Sequence, residues 1–380
     1  MKKVVITLLV AVMLFSLAAC STGTDTPAEE TAAATAEATA DAPAEETAEA
    51  PAEATEDATE APAEDSTGGS DLSSLNTDFV IATVPKGMGI PWFQRMEVGV
   101  DQFAADTGVD AYQTGPVDAD AAGQAQYIED LIAQGVDAIC VVPFSTESLE
   151  PVLKKAREAG ILVIAHEAEG MTNIDYDLEA FDNNEYGEHF MEKLGPLMGE
   201  EGEYALMVGA LTSASHNQWV DASKAYQEAN FSGMSQAGDK IESGDDQDQA
   251  YEKIKEALKA YPDLKGIQGS AMADVAGAAR AVEEAGKAGE IKIVGTSLVS
   301  VSGKYVRDGS IEMISFWDPA LAGYAMNEIA LRILNEQEIA DGMSLTVEGY
   351  ENLKLEGNTL KGQAWIDVDA SNVDDPAYDF

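Results

Sequence analysis

The chain has 380 residues, which is enough to bury two hydrophobic cores, and its formal net charge is −47 at pH 7. Nucleic-acid binding depends on contacts of Lys and Arg with phosphate. The chain has 69 acidic but only 22 basic residues, which argues strongly against this function. The acidity does not in itself predict a calcium site, because most surface acidic groups serve solvation.

Residues 1–20 have the pattern of a bacterial signal peptide. Lys2 and Lys3 precede an apolar stretch over Val4–Phe15, which is too short to span a membrane and remain there. The segment ends in LAAC, which resembles a lipobox and implies cleavage before Cys20 and attachment of lipid to its sulfur. An ordinary signal peptide with a coincidental cysteine is the alternative.

Residues 21–77 are expected to form a disordered acidic tether. Up to about Asp71 the sequence consists mainly of Ala, Thr, Glu, Pro and Asp in near-repeats, without Lys, Arg or aromatic residues. Such a segment cannot bury enough apolar surface to offset the entropy of ordering. We expect the tether to hold a folded domain near a membrane but off its surface.

Apolar runs and helical periodicities alternate through the first part of the folded region. Continuous apolar runs are typical of strands in a parallel sheet that is covered on both faces. The alternation therefore predicts a doubly wound parallel sheet. The predicted strands cover residues 79–84, 110–113, 138–142 and 161–165, and the predicted helices begin near residues 90, 126 and 149.

The same alternation begins again after Glu169 and predicts a second α/β lobe with its own sheet. Its predicted strands cover residues 204–208, 266–269, 291–295 and 311–316. We expect an N-terminal lobe of residues 78–167 plus about 318–345, and a C-terminal lobe of about 168–317 plus about 346–380. The chain would pass between the lobes more than once, which creates a multi-strand hinge and a cleft lined by strand ends.

Polar and aromatic side chains follow the predicted strands, where ligands bind in open α/β sheets. Lys86 lies in the first loop, Glu167 follows the fourth strand, and His216 lies in the first loop of the second lobe. Aromatic rings near these ends can stack on a ring-shaped ligand. The candidates are Trp92, Phe93 and Trp317.

Several of these candidates, and Asp318 with them, have a structural alternative. Phe93 fits the core face of a helix better than the ligand site, Trp92 fits both positions equally well, and Lys86 also fits a solvated surface. Asp318 precedes a proline and a predicted helix, so it fits a helix cap.

No catalytic constellation emerges from the sequence, and we expect neither a metal nor a cofactor. Three His residues lack metal-ligand spacing, and the loop PKGMGIPW lacks the spacing of a dinucleotide site. Glu167 and Asp318 as an acid–base pair across the cleft would make a glycoside hydrolase, which is the enzymatic alternative.

Several segments together resemble a type I periplasmic solute-binding protein of an ABC sugar importer. The similarity is greatest to the branch that binds autoinducer-2 and rhamnose. The matching segments are Pro85-Lys86, TGPVDADAAGQAQYIEDLIAQGVDAI, Asn217-Gln218-Trp219, LKAYPDL, KYVRDGSIEMISFWDP and the terminal Tyr378-Asp379-Phe380.

The resemblance implies ligand contacts at specific positions. Three positions keep the residue type or the charge of the family's contacts: Lys86, Glu167 and Asp318. Four positions carry other residue types: Ser215, His216, Ser270 and Met272. The changes predict a related but different small sugar or polyol.

We therefore expect a monomeric receptor, lipid-anchored on the outer face of the bacterial cytoplasmic membrane. It would trap a monosaccharide, a deoxyhexose or an autoinducer-2-like furanose and deliver it to an ABC permease. A sensor that presents the same ligand to a membrane receptor is the alternative, and the sequence does not separate the two.

Overall fold

The apolar runs of the sequence pair into two sheets of seven strands each, in the computed structural model that describes residues 72–380. This confirms the predicted pair of parallel-sheet α/β lobes. The strands are β1 (Val80–Val84), β2 (Asp110–Gln113), β3 (Ala138–Val141), β4 (Leu162–His166), β5 (Tyr176–Glu179), β6 (Glu201–Val208), β7 (Gly233–Gln236), β8 (Ile241–Glu242), β9 (Leu264–Gly269), β10 (Lys292–Thr296), β11 (Met313–Phe316), β12 (Lys354–Glu356), β13 (Thr359–Lys361) and β14 (Ile366–Val368).

The first sheet has the order β12-β13-β5-β4-β3-β1-β2, and the second has the order β14-β11-β10-β9-β6-β7 with β8 beside β6. All pairings are parallel except β12 with β13 and β11 with β14, which lie at the edges. The central strands are buried on both faces, which explains their continuous apolar runs.

Helices cover both faces of each sheet. Helices α1 and α9 pack together on one face of the first sheet, and α4 and α5 pack together against the second. The helices are α1 (Pro91–Thr107), α2 (Ala121–Gln134), α3 (Thr146–Glu158), α4 (Asn183–Met198), α5 (Ala214–Asn230), α6 (Gln247–Ala260), α7 (Met272–Glu284), α8 (Val299–Asp308) and α9 (Pro319–Leu334).

The chain changes lobe three times, after β5, after β11 and after β13. The sequence-based boundaries near residues 168 and 346 were therefore misplaced, because β5, β12 and β13 all belong to the first sheet. The reason lies in composition. Strand β5 carries the buried acids Asp177 and Glu179, which interrupt the apolar run that marks a buried strand.

One aromatic side chain lies on each of the three crossings: Phe181, Trp317 and Trp365, which we call the junction cluster. The ring centroid of Phe181 is 5.1 Å from that of Trp317 and 5.6 Å from that of Trp365, both in edge-on geometry. The first and third crossings are also joined by a backbone hydrogen bond of 2.9 Å from Ala364 N–H to the Ala180 carbonyl. The crossings thus form one connected junction.

The last residues of the expected tether belong to the folded region. Leu72–Ser74 form a short 3-10 helix in which Leu72 is buried. The Asn76 backbone and the Asn335 side chain exchange hydrogen bonds of 2.8 and 3.0 Å. The apolar side chains of Leu72 and Leu75 pack against the core and explain why this segment, which starts eight residues before β1, belongs to the folded region.

The predicted signal peptide, the lipid attachment at Cys20 and the tether up to residue 71 lie outside the described residues. From residue 72 onward, no helix combines the length and the apolar character needed to cross a membrane.

Candidate functional site

The carboxyl ends of the two sheets enclose a cavity of about 30 Å³ between the lobes. Of the residues predicted for the ligand site, all except Ser215 and Asp318 line it. The lining residues are Lys86, Ile90, Trp92, Phe93, Glu167, His216, Trp219, Asp245, Ser270, Met272, Thr296 and Trp317.

A buried ion pair from the first lobe forms one wall. Lys86 follows β1 and Glu167 follows β4, and Lys86 Nζ lies 2.7 Å from Glu167 Oε2, with each side chain 4% exposed. Burial lowers the pKa of Lys86, but the carboxylates of Glu167 and Asp245 outweigh burial and raise it overall, so the ammonium group stays charged. Desolvating two charges is costly, so this pair is weak evidence for stability and better evidence for function.

His216 faces this pair from the second lobe. Its Nδ1 accepts the backbone N–H of Gly209 at 3.1 Å, which leaves the proton of the neutral ring on Nε2. That Nε2 lies 3.9 Å from Glu167 Oε2. Burial, aided by the charge of Lys86, holds the pKa of His216 well below its usual range. The second lobe therefore presents a neutral N–H donor to a carboxylate of the first.

Trp317 closes another side of the cavity and is fixed by the first lobe. Its Nε1–H donates to His166 Nε2 at 3.1 Å, while His166 Nδ1–H donates to the Leu178 carbonyl. Burial lowers the pKa of His166 despite the nearby Glu167, so the ring remains an acceptor for the indole. The ring of Trp92 meets Trp317 edge-on with centroids 4.6 Å apart.

Three lining side chains have polar atoms without a hydrogen-bond partner among the described residues: Trp92 Nε1, Ser270 Oγ and Asp245 Oδ2. Leaving a buried polar group unsatisfied costs roughly 1–3 kcal/mol, so such groups are uncommon without a reason. Together they offer a donor, an acceptor and a hydroxyl that can act as both. Hydroxyl groups on a ring-shaped ligand match this set, and the aromatic walls match the ring faces.

Asp318 does not line the cavity, although the sequence predicted it as a ligand contact. Its carboxylate receives two hydrogen bonds from the Arg95 guanidinium, at 2.8 and 2.6 Å. It also caps α9 by accepting the Ala320 N–H at 2.9 Å. The capping alternative therefore describes the position of Asp318, because its oxygens are already engaged.

Ser215 is also absent from the lining. It lies in the first turn of α5, fully buried, and its hydroxyl has no partner within the described part of the chain. The adjacent His216 reaches the cavity instead. Both residues belong to α5 rather than to the predicted loop, and neighbouring residues of a helix point in different directions, so only one of the two faces the cleft.

The sequence missed several lining residues, of which Asp245 is the most informative. Asp245 lies between β8, a strand of two residues, and α6, and so short a strand leaves no periodicity to detect. Trp219 lies on the buried face of α5, where its indole N–H donates to Asn183 Oδ1 at 2.6 Å. Its helical position gave no sign of a site.

A second pair of acids lies behind the cavity on β5. Asp177 and Glu179 are both buried, and the charge of Asp177 adds to burial in raising the pKa of Glu179. Burial raises the pKa of Asp177 to about 7 and raises that of Glu179 well above its usual range. Asp177 also accepts the backbone N–H of Ala168, next to Glu167, at 3.2 Å. The two acids of β5 therefore lie beside the segment that carries Glu167, the ion-pair partner of Lys86.

These features define a two-lobed binding protein whose site lies between the lobes. Residues 81–338, more than half of the chain, match the periplasmic binding protein domain family, and the chain belongs to that family.

Individual proteins agree with this assignment. The D-ribose/D-allose-binding protein of Pseudomonas aeruginosa is 29% identical over 245 residues, which cover 61% of this chain and 74% of that protein. The D-allose-binding periplasmic protein of Escherichia coli is 29% identical over 258 residues, which cover 64% and 80%.

Solved structures show the same fold. A solute-binding protein of an ABC transporter from Clostridium phytofermentas with bound L-rhamnose superposes with a TM-score of 0.74 at 23% identity, covering 80% of this chain and 99% of that one. LsrB from Clostridium saccharobutylicum in complex with AI-2 gives a TM-score of 0.73 at 18% identity, covering 79% and 100%.

Proposed function

We propose that this protein captures a small sugar between its lobes and delivers it to an ABC permease. One observation carries the proposal: the cavity places Lys86 and Glu167 of one lobe opposite His216 of the other, within 3.9 Å. A ligand in this position contacts both lobes at once. Relatives that bind ribose and allose, and structural neighbours with rhamnose or AI-2, support a small sugar as the ligand.

The proposed mechanism is a ligand-driven shift from an open to a closed arrangement. With the lobes apart, a ligand on the first lobe contacts Lys86, Glu167 and Trp92 but lacks the contacts with His216 and Ser270. Closure adds this second set, so the ligand binds the closed state more tightly and shifts the population towards it. The permease would distinguish the loaded from the empty receptor by this change of shape.

The lining side chains favour a monosaccharide, a deoxyhexose or an autoinducer-2-like furanose, which enters when the lobes separate because a space of about 30 Å³ does not hold a sugar. The unpartnered donor of Trp92 and the hydroxyl of Ser270 match hydroxyl groups, and the rings of Trp92 and Trp317 match an apolar sugar face. Ser270 and Met272 reach the cavity at positions where the sequence differs from the autoinducer-2 proteins. These differences favour a related but distinct sugar.

Binding without turnover is part of the proposal. A glycoside hydrolase needs one carboxyl as acid and another as base or nucleophile. Glu167 is engaged by Lys86, and Asp318 is engaged by Arg95 and the first turn of α9. Neither is free for that role.

We also propose that the receptor acts as a monomer held by lipid on Cys20 at the outer face of the cytoplasmic membrane. The lipobox-like LAAC supports the anchor, and the acidic sequence that follows supports a spacer between membrane and domain. Metabolic labelling with a palmitate analogue would mark the protein but not a Cys20→Ser variant.

A thermal-shift screen of pentoses, hexoses, deoxyhexoses and autoinducer-2 tests the proposal, because a ligand that binds only the folded state raises the melting temperature. Calorimetry on the best ligand should give saturable binding without product. A complete absence of shifts across the panel would contradict the proposed function.

A further inference from the structure

A second, larger space lies outside the inner cavity. This outer cleft measures about 510 Å³ and is lined by residues of both lobes. Three residues line the outer cleft and the inner cavity alike: Ile90, Asp245 and Met272. Asp245 is the only charged one of the three, so a ligand that moves from the cleft into the cavity passes its carboxylate.

The loop before α6 is built to turn Asp245 inward. Gly244 and Asp245 both have positive φ, 69° and 55°. Residues with a side chain adopt this conformation infrequently, so the loop accepts backbone strain at Asp245. Room for the carboxylate comes from Gly209, because a Cβ added there would lie 2.5 Å from Asp245 Oδ1. Strain accepted at a cavity wall points to a function for the side chain.

The charges around Asp245 leave it without a local counter-ion of its own. Lys86 is the only cation among the lining residues, and Glu167 already holds it at 2.7 Å. Asp245 Oδ2 has no hydrogen-bond partner among residues 72–380, and His216 is neutral. Burial raises the pKa of Asp245, while the charge of Lys86 opposes that shift. A hydroxyl donor from a ligand would stabilise the ionised form further.

We propose that Asp245 accepts a hydrogen bond from a ligand hydroxyl and makes the site select uncharged sugars against sugar acids and sugar phosphates. This inference rests on the proposed function. A carboxylate accepts a hydroxyl or an ammonium group, whereas a ligand carboxylate or phosphate beside it meets like-charge repulsion in a poorly solvated space. Discrimination then comes from a repulsive contact as well as an attractive one.

The test uses calorimetry with D-ribose, D-allose and L-rhamnose as neutral probes, and D-ribonate and D-ribose 5-phosphate as anionic probes. We expect the wild-type protein to bind at least one neutral probe about 100-fold more tightly than the anionic ones. Asp245→Asn keeps the shape, and Asn tolerates positive φ. This variant should bind the neutral probe at least tenfold more weakly, and its ratio of neutral-probe affinity to anionic-probe affinity should fall at least tenfold.

Asp245→Gly separates recognition from structure, because glycine adopts positive φ without strain. We expect this variant to have a higher melting temperature and at least tenfold lower affinity for the neutral probe. A merely structural aspartate would lower the melting temperature instead. The matched control is Asp248→Asn in the first turn of α6, three residues further along the chain. Its side chain is 81% exposed and paired with Arg280, so the substitution should change neither the affinity nor the affinity ratio.

The two possible failures are distinct. If the wild-type protein binds none of the neutral sugars, the proposed function fails. If it binds one of them, but both Asp245 variants keep the affinity and the neutral-to-anionic ratio of the wild type, the sugar receptor stands and the role of Asp245 is overturned.

Discussion

At the scale of single residues, the centre of the site is an ion pair that stability alone does not explain. Lys86 and Glu167 are almost fully buried, and their contact at 2.7 Å must offset the desolvation of two charges. Residues of this kind are candidates for function because well-packed apolar side chains would serve the core as well. The sequence identified both, since each follows a strand at its carboxyl end.

We predict that Lys86→Met destabilises the protein by about 3 kcal/mol, because it leaves the Glu167 carboxylate buried without its partner. Replacing both, as Lys86→Met with Glu167→Met, should recover most of that loss, because no unpaired charge remains. Sugar binding should be absent in both variants. Urea unfolding and calorimetry measure the two effects. If Lys86→Met is as stable as the wild type, the assigned pairing of Lys86 with Glu167 is wrong.

The acids of β5 predict a pH dependence of stability. Burial raises the pKa of Asp177 from 3.8 to about 7, so the folded protein binds more protons than the unfolded chain between these values. The free energy of unfolding therefore falls as the pH rises through this range. His166 and His216, whose pKa values are lowered by burial, act in the opposite direction.

The comparison of Asp177→Asn with the wild type reports the contribution of Asp177 and Glu179 together, because the pKa of Glu179 also depends on the charge of Asp177, while the histidines are common to both proteins. We expect the wild-type protein to lose more stability than the variant between pH 5 and pH 8 in urea unfolding. The exposed Asp248→Asn should follow the wild type. Parallel curves for Asp177→Asn and the wild type would show that the carboxyl does not hold its proton in the fold.

At the scale of elements, the start of α9 shows that the same residue type can indicate either a helix cap or a ligand contact. The segment Trp317-Asp318-Pro319 combines a helix start with a crossing between lobes. Sequence reasoning assigned Asp318 to the ligand, whereas its carboxylate caps α9 and pairs with Arg95. An aspartate at this position suits a helix cap and a ligand contact equally, so the residue type does not distinguish the two roles.

We predict that Asp318→Ala lowers stability by about 1 kcal/mol through the lost cap, with a further loss from the unpaired Arg95. Asp318→Asn should recover the capping part, because asparagine is an equally good cap residue. Sugar affinity should stay within a few-fold of the wild type for Asp318→Asn. A tenfold loss of affinity in calorimetry with normal stability would restore the ligand role.

The elements found from sequence are those with strong apolar runs, and the elements missed are short or polar. Strands β1, β3 and β4 were evident because both of their faces are buried. Strand β5 carries two buried acids, β8 has two residues, and β12 to β14 have three each. Since these elements decide where the chain changes lobe, the boundaries near residues 168 and 346 were wrong, although the boundary at 317/318 and the fold class agree with the structure.

The candidate site shows the same division. Loops at strand ends indicated Lys86, Glu167 and His216, because topology alone brings the carboxyl ends of parallel strands together, whereas Ser270 was indicated only by the family resemblance. Asp245 was missed, since its inward direction depends on two successive positive φ angles and on space at Gly209. Backbone strain of this kind leaves no pattern in hydrophobicity.

At the scale of the whole molecule, three crossings and the junction cluster determine how the lobes can move. Because the crossings are packed and hydrogen-bonded to each other, the lobes should rotate as rigid bodies about the junction. We predict that a bound sugar reduces the radius of gyration in small-angle X-ray scattering. The Lys86→Met, Glu167→Met double variant should show no such change with the same sugar. An equal decrease in the radius of gyration of both proteins would show that closure does not depend on binding at this site.

The chain contains four tryptophans: Trp92, Trp219, Trp317 and Trp365. The first three line the inner cavity, and the fourth belongs to the junction cluster. Every indole therefore lies where a ligand arrives or where the lobes turn. The ultraviolet emission of the unlabelled protein should thus act as an optical gauge of occupancy, reporting capture and release in real time without an attached dye.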